Sequence, residues 1–151
     1  MFSSIKLKVV GQPHSTGLIA TELEQPFFLT LKSNTRLPID VDFKTLDQIG
    51  VKDTYQLPMM KDGVFDLVSL RLVQNIQHEI TLNGLDVTGL NINFEKLHAL
   101  ANAYAPIVDK NLQEKYQVKL LGLWTFGPQE LYCSRPIHRL ADLKGLKVRV
   151  Q

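Results

Sequence analysis

Cysteine is nearly missing from this chain of 151 residues, where Cys133 stands alone. That excludes an internal disulfide and a metal site built from several cysteines. No apolar run approaches the roughly 20 residues that a membrane-spanning helix needs. The N-terminus lacks the charged, apolar and small-residue sections of a secretory signal, and Met1-Phe2-Ser3-Ser4 reads as a start on a chain whose leader is out of view. An excess of one charge is lacking too: the formal net charge is only +2, with a pI near 8.7. Bulk electrostatics therefore give no basis for binding nucleic acid or an anionic membrane. Internal repeats and low-complexity segments are absent. So are a glycine-rich phosphate loop, metal-ligand spacing, a nucleophile elbow and a DNA-binding segment.

What is present suits a single domain by length, with apolar residues making up 44% of the chain, enough to close a core. Ile5 to Val10 reads as a strand and runs into a loop of turn formers, Gly11 to Gly17. Ser15 or Thr16 can cap the helix that follows, and Gln12 and His14 are the side chains that could line a small-anion site there. A loop that merely turns the chain is the plainer alternative. The helix spans about Gly17 to Ser33, with Leu18, Ile19, Leu23, Phe27, Phe28 and Leu31 as its apolar stripe and a kink or restart at Pro26. Phe27 and Phe28 are assigned to the core.

A second strand follows Pro38. In it Asp40 and Asp42 share one face, as an acid/base pair would and as ordinary wet-face carboxylates also do. Thr54 to Lys61 reads as a short helix closed by Asp62-Gly63, then Val64 to Leu70 as a nearly all-apolar strand of the kind covered on both faces. Ligands of open α/β sheets bind beyond the C-terminal ends of strands, which makes Arg71 a cleft candidate. Gln74 to Leu90 is irregular. The longest helical pattern runs from Phe94 to Tyr116 with Pro106 inside it, and strands are expected over Val118 to Phe126 and Gln129 to Ser134. This order implies a parallel α/β sheet up to about Phe126.

The end of the chain draws together the cations. Arg135, Arg139, Lys144, Lys147 and Arg149 face only Asp142 in the last seventeen positions, a pattern that weakly favours an anionic partner. A turn over Leu140 to Leu143, closed by Gly145, feeds a strand in which Leu146, Val148 and Val150 alternate with Lys147 and Arg149. Arg149 can take a carboxylate through two parallel hydrogen bonds, a geometry Lys cannot reproduce. An exposed, solvated Arg is the alternative.

The segment Asp62-Gly63-Val64-Phe65-Asp66-Leu67-Val68-Ser69, the Trp124-Thr125-Phe126-Gly127 run, and Arg135-Pro136-Ile137 followed by Ala141-Asp142-Leu143-Lys144-Gly145-Leu146-Lys147-Val148-Arg149-Val150 carry a resemblance. The chain resembles the DctP-type solute-binding proteins of TRAP (tripartite ATP-independent periplasmic) transporters. The resemblance implies a periplasmic-binding-protein-like α/β fold, the type II clamshell of two lobes. It implies no enzymatic activity and no cofactor or metal. It further implies a periplasmic location, a small carboxylate ligand and delivery to TRAP membrane permease subunits. In the family the Arg at the position of Arg149 holds the ligand carboxylate. The position of Gln129 is commonly Arg, so here one charge is missing. The end of the third strand matches Arg71, and the loop after the first strand contributes through the position of Gln12. Family members are about twice as long, so residues 1–126 are expected to form most of lobe one and residues 127–151 the opening strands of lobe two, with an incomplete cleft that binds weakly by itself. A small α/β enzyme using His14, or Asp40 with Asp42, on an anionic substrate is the runner-up, and the ligand-sensing domain of a regulator a third reading.

Overall fold

A computed structural model describes residues 4–85, 87, 93–126 and 132–147. Three parallel strands form its sheet in the order β2-β1-β3: β1 spans Ile5–Gly11, β2 Ile39–Thr45 and β3 Leu67–Val68. The register runs from Ile5 opposite Ile39 to Gly11 opposite Thr45 on one side, and pairs Val9 with Leu67 and Val10 with Val68 on the other. As the middle strand, β1 turns successive side chains to both faces, and both Val9 and Val10 are buried.

Between β1 and β2 the expected single helix is three pieces. A π-helical stretch, Ile19–Glu24, leads into α1, Gln25–Leu29, and after Thr30 comes α2, Leu31–Thr35. Pro26 lies in the first turn of α1, where a missing N–H is harmless, so the chain restarts there. The apolar stripe does not face the core: Leu18, Leu23 and Phe27 are 64%, 61% and 58% exposed, while Ala20 and Glu24 are the buried members. Phe27 therefore leaves the expected core. Phe28 is half-buried and stacks on Phe43 at 5.9 Å between ring centres.

A 3-10 turn, Asp53–Tyr55, opens α3, Gln56–Lys61. Gly63, at φ 68°, closes α3: its N–H donates to Met60 O and that of Val64 to Met59 O. This closure explains why β3 is shorter than Val64 to Leu70, because the Val64 N–H is already bonded to the helix.

The long helix α4, Phe94–Tyr116, has the expected bounds and is capped by Asn93, whose side chain accepts from Lys96 N at 2.8 Å. Leu57 of α3, Leu82, and Val108 and Leu112 of α4 form the core cluster, with Tyr104, Tyr116, Val118 and Leu120 against it. The strand expected over Val118 to Phe126 does not form. Val118 N–H donates to Leu112 O and Leu120 N–H to the Asp109 carboxylate, so this segment is tied back along α4 rather than to a sheet neighbour. Leu121, Trp124 and Phe126 are exposed. Near the end of the chain, Leu140–Leu143 forms the expected helical turn, followed by Gly145 at φ 79°. The strands expected over Gln129 to Ser134 and Leu146 to Val150 lie largely outside the described residues, as does the boundary near residue 127. No described helix is long and apolar enough to cross a membrane.

Candidate functional site

The strand order contains a reversal of the kind that marks a ligand crevice. The chain passes from β1 to its neighbour on one side, then returns past β1 to the other, so the loops after β1 and β3 part at the C-terminal edge of the sheet. In open α/β sheets such a reversal is where ligands settle.

Gln12, the first residue after β1, is 2% exposed. Its Nε2 donates to both the carbonyl and the hydroxyl of Ser69 at 3.1 Å, and its backbone N–H donates to Glu24 Oε2 at 2.7 Å. Gln56 Nε2 reaches the same Ser69 carbonyl at 3.1 Å, while Gln56 Oε1 accepts from the Arg71 backbone N–H at 3.2 Å. Gln12 and Arg71, both named from sequence, are thus brought to adjoining strand ends and linked through Ser69 and Gln56. The Arg71 guanidinium is paired with Asp53 at 2.5 Å, with both side chains about a quarter exposed, and Arg71 retains donors because a guanidinium carries five. Beneath them, buried Asn75 donates to the carbonyls of Asp53 and Arg71 at 3.0 Å and accepts from Leu57 N–H at 3.3 Å, fixing the loop after β3 against α3.

Gly11 lets this arrangement close. A Cβ there would lie 2.5 Å from Glu24 Oε2 and 2.5 Å from the Phe43 ring, so only glycine permits the carboxylate to cover the strand end.

His14 sits at the outer rim. Its Nδ1–H donates to Asp47 Oδ2 at 2.7 Å and its backbone N–H to Asp47 Oδ1 at 3.2 Å. The His14 bond holds the Asp47 carboxyl well below the usual range, at about 2. Thr45 Oγ1 meets the same Nδ1 at 3.4 Å, so it is not aligned as a nucleophile relayed through the ring. Asp40 and Asp42 stand away from the crevice on the exposed face. Asp40 accepts from Lys32 at 2.8 Å and from the Ser4 hydroxyl, and Lys32 is the main reason its carboxyl is held low; Asp42 meets Lys44 at 3.4 Å. Asp40, kept ionised by Lys32, is poorly placed to deliver a proton.

Of the terminal cations, Arg135 donates to Asp142 O at 3.2 Å and Arg139 to the Asp142 carboxylate at 3.1 Å. Gln129 and Arg149 lie outside the described residues. Among the described residues no group of three or more His, Cys, Asp and Glu side chains is gathered for a metal. Sequence reasoning did not single out Gln56, Asp53, Asn75 or Glu24. Ser69 appeared only at the end of the third expected strand and in the segment that carries the resemblance. For Glu24 a signal existed: it lies one turn beyond Ala20 on the buried face, opposite the more conspicuous leucines.

No curated protein and no solved structure matches the chain. A family model does, over residues 33–151: DctP, the bacterial extracellular solute-binding protein, family 7. Arg71, Gln129 and Arg149 fall within the matched stretch and Gln12 precedes it. This chain belongs to the DctP family of solute-binding proteins, the extracytoplasmic receptors of TRAP transport.

Proposed function

We propose that the protein receives a small organic acid in the crevice beyond β1 and β3, in the periplasm, and hands it to the membrane permease subunits of a TRAP transporter. Arg149 anchors the ligand carboxylate by a two-pronged, charge-assisted contact. Gln129 and Gln12 supply neutral hydrogen bonds, and Arg71 offers its remaining N–H donors to a second anionic or polar group. The type II clamshell, in which residues 1–126 belong to one lobe and 127–151 begin the other, accounts for a crevice that one sheet edge alone would leave open. The observation that carries the reading is the meeting of Gln12 and Arg71 at neighbouring strand ends, joined through Ser69 and Gln56, in a chain of a solute-binding family.

The test is a thermal-shift and calorimetric series of mono- and dicarboxylates on the full-length protein and its Arg149→Lys variant. Losing the two-pronged geometry while keeping the charge is expected to weaken acid binding by about tenfold or more. Equal affinity in both proteins removes Arg149 from the anchor role, and no binding of any acid removes the receptor reading.

A further inference from the structure

The positive charge of this chain is gathered in one place. Residues 135–147 carry Arg135, Arg139, Lys144 and Lys147 against a single acid, Asp142, an imbalance larger than the net +2 of the whole chain. Asp142 is also what folds the segment. Its carboxylate accepts from the backbone N–H groups of His138 at 3.1 Å and Arg139 at 3.2 Å and from Arg139 Nε at 3.1 Å, and its carbonyl accepts from the Arg135 guanidinium at 3.2 Å. The one acid is thereby spent on Arg139. Among the described residues, Arg135, Lys144 and Lys147 meet no carboxylate. Two leucines stand among these cations: Leu140, 86% exposed, follows Arg139, and Leu146, also exposed, lies between Lys144 and Lys147. The hydrogen bonds of residues 135–147 to other described residues run within the segment rather than to the sheet or to α4.

Resting on the extracytoplasmic receptor reading and independent of the solute, we infer that residues 135–147 are a docking surface for an anionic phospholipid bilayer, the membrane that holds the permease. Each cation without a counter-charge strengthens binding to such a surface by about fivefold. Lys144 and Lys147 suit its diffuse charge, because an ammonium on a flexible stem is a point charge that needs no fixed partner geometry. The leucines decide for lipid. Beside the cations they enter the boundary between headgroups and acyl chains and leave water, whereas a nucleic acid takes the cations and leaves both aliphatic side chains wet. Family membership puts the protein outside the cytoplasm and beside a membrane transporter, where a bilayer is at hand.

The test is co-sedimentation of the full-length protein with vesicles of phosphatidylcholine alone and of phosphatidylcholine mixed with phosphatidylglycerol. Binding is expected to the mixed vesicles only and should weaken as salt rises. Lys144→Gln combined with Lys147→Gln should weaken it by roughly 20-fold and leave the melting temperature unchanged, whereas Lys96→Gln combined with Lys110→Gln, at exposed positions of α4, should leave it within about twofold. Leu140→Ser should weaken binding by about fivefold or more without altering its salt dependence. Sedimentation with neither vesicle, or equally with both, overturns the inference. Equal weakening by the two lysine pairs also overturns it, since total charge rather than this segment is then responsible. A Leu140→Ser variant that binds like the parent overturns the lipid assignment and leaves a surface for anions in general, of the kind an acidic protein would meet. Acid binding by the same protein, measured separately, tests the receptor reading, and neither result decides the other.

Discussion

Two proline-bearing helical stretches, residues 18–35 and α4, show similar apolar stripes and opposite burial. In α4 the middle of the stripe is inside: Leu97, Ala101, Val108 and Leu112 are buried, the last two against Leu57 and Leu82, while Phe94 and Ile107 are exposed. In the earlier stretch Leu18, Leu23, Phe27 and Leu29 face outward while Ala20 and Glu24 face in. Their prolines differ accordingly. Pro106 lies within a helix of 23 residues that continues past it, held by neighbouring turns and its packing, whereas Pro26 starts a new five-residue helix. Periodicity therefore identifies a helix without naming its buried face. That face depends on what the rest of the fold presents, and at the end of β1 the fold presents a glycine and a backbone N–H that a carboxylate covers.

This contrast can be broken by substitution. The largest effect is expected at Leu112→Ala, about 2–5 kcal/mol of lost stability from a well-filled core, against a change within about 0.5 kcal/mol for Leu23→Ala, both read by denaturant unfolding. Comparable losses at the two positions would show that the outer stripe is covered in solution. Gly11→Ala comes next, at about 1–3 kcal/mol, because its methyl group meets both Glu24 and the Phe43 ring. A neutral result would mean that Glu24 does not cover the strand end. The smallest effect concerns the rim. The Asp47 carboxyl is held at about 2 against an ordinary 3.8, so its contribution to stability is complete above the ordinary value and disappears as pH falls toward 2. Carboxyl NMR titration of His14→Ala should find the Asp47 midpoint raised toward 3.8, and an unmoved midpoint would mean the pair is not formed.

The contrast also marks what the amino-acid sequence disclosed. β1, β2, α4 and the turns at Gly63 and Gly145 were legible because alternation, capping residues and glycine act locally. So was the placing of Arg71 and Gln12 at strand ends, which follows from the strands themselves. The strand expected over Val118 to Phe126 was not, since its apolar content suits either a strand or a segment laid along a helix. The Asp109 carboxylate, which receives Leu120 N–H and the Lys119 ammonium, decides between them from eleven and ten residues away. The brief pairing of β3 was hidden for a similar reason, because the bond from Val64 to Met59 belongs to the end of α3. Asp53 and Asn75 were invisible because a buried polar side chain is defined by partners that no local pattern specifies.

The central place of β1 has a consequence during synthesis. Of the three described strands, the one made first is the one that needs both neighbours, and its second neighbour is complete only at residue 68. At about 5–20 residues per second, both edges wait roughly 2–7 seconds for β2, and the second edge roughly 3–12 seconds for β3. Lys6 and Lys8 alternate through this strand, and charged side chains on an open edge discourage pairing with another nascent chain. The two lysines thus guard the growing polypeptide before there is a fold for them to decorate.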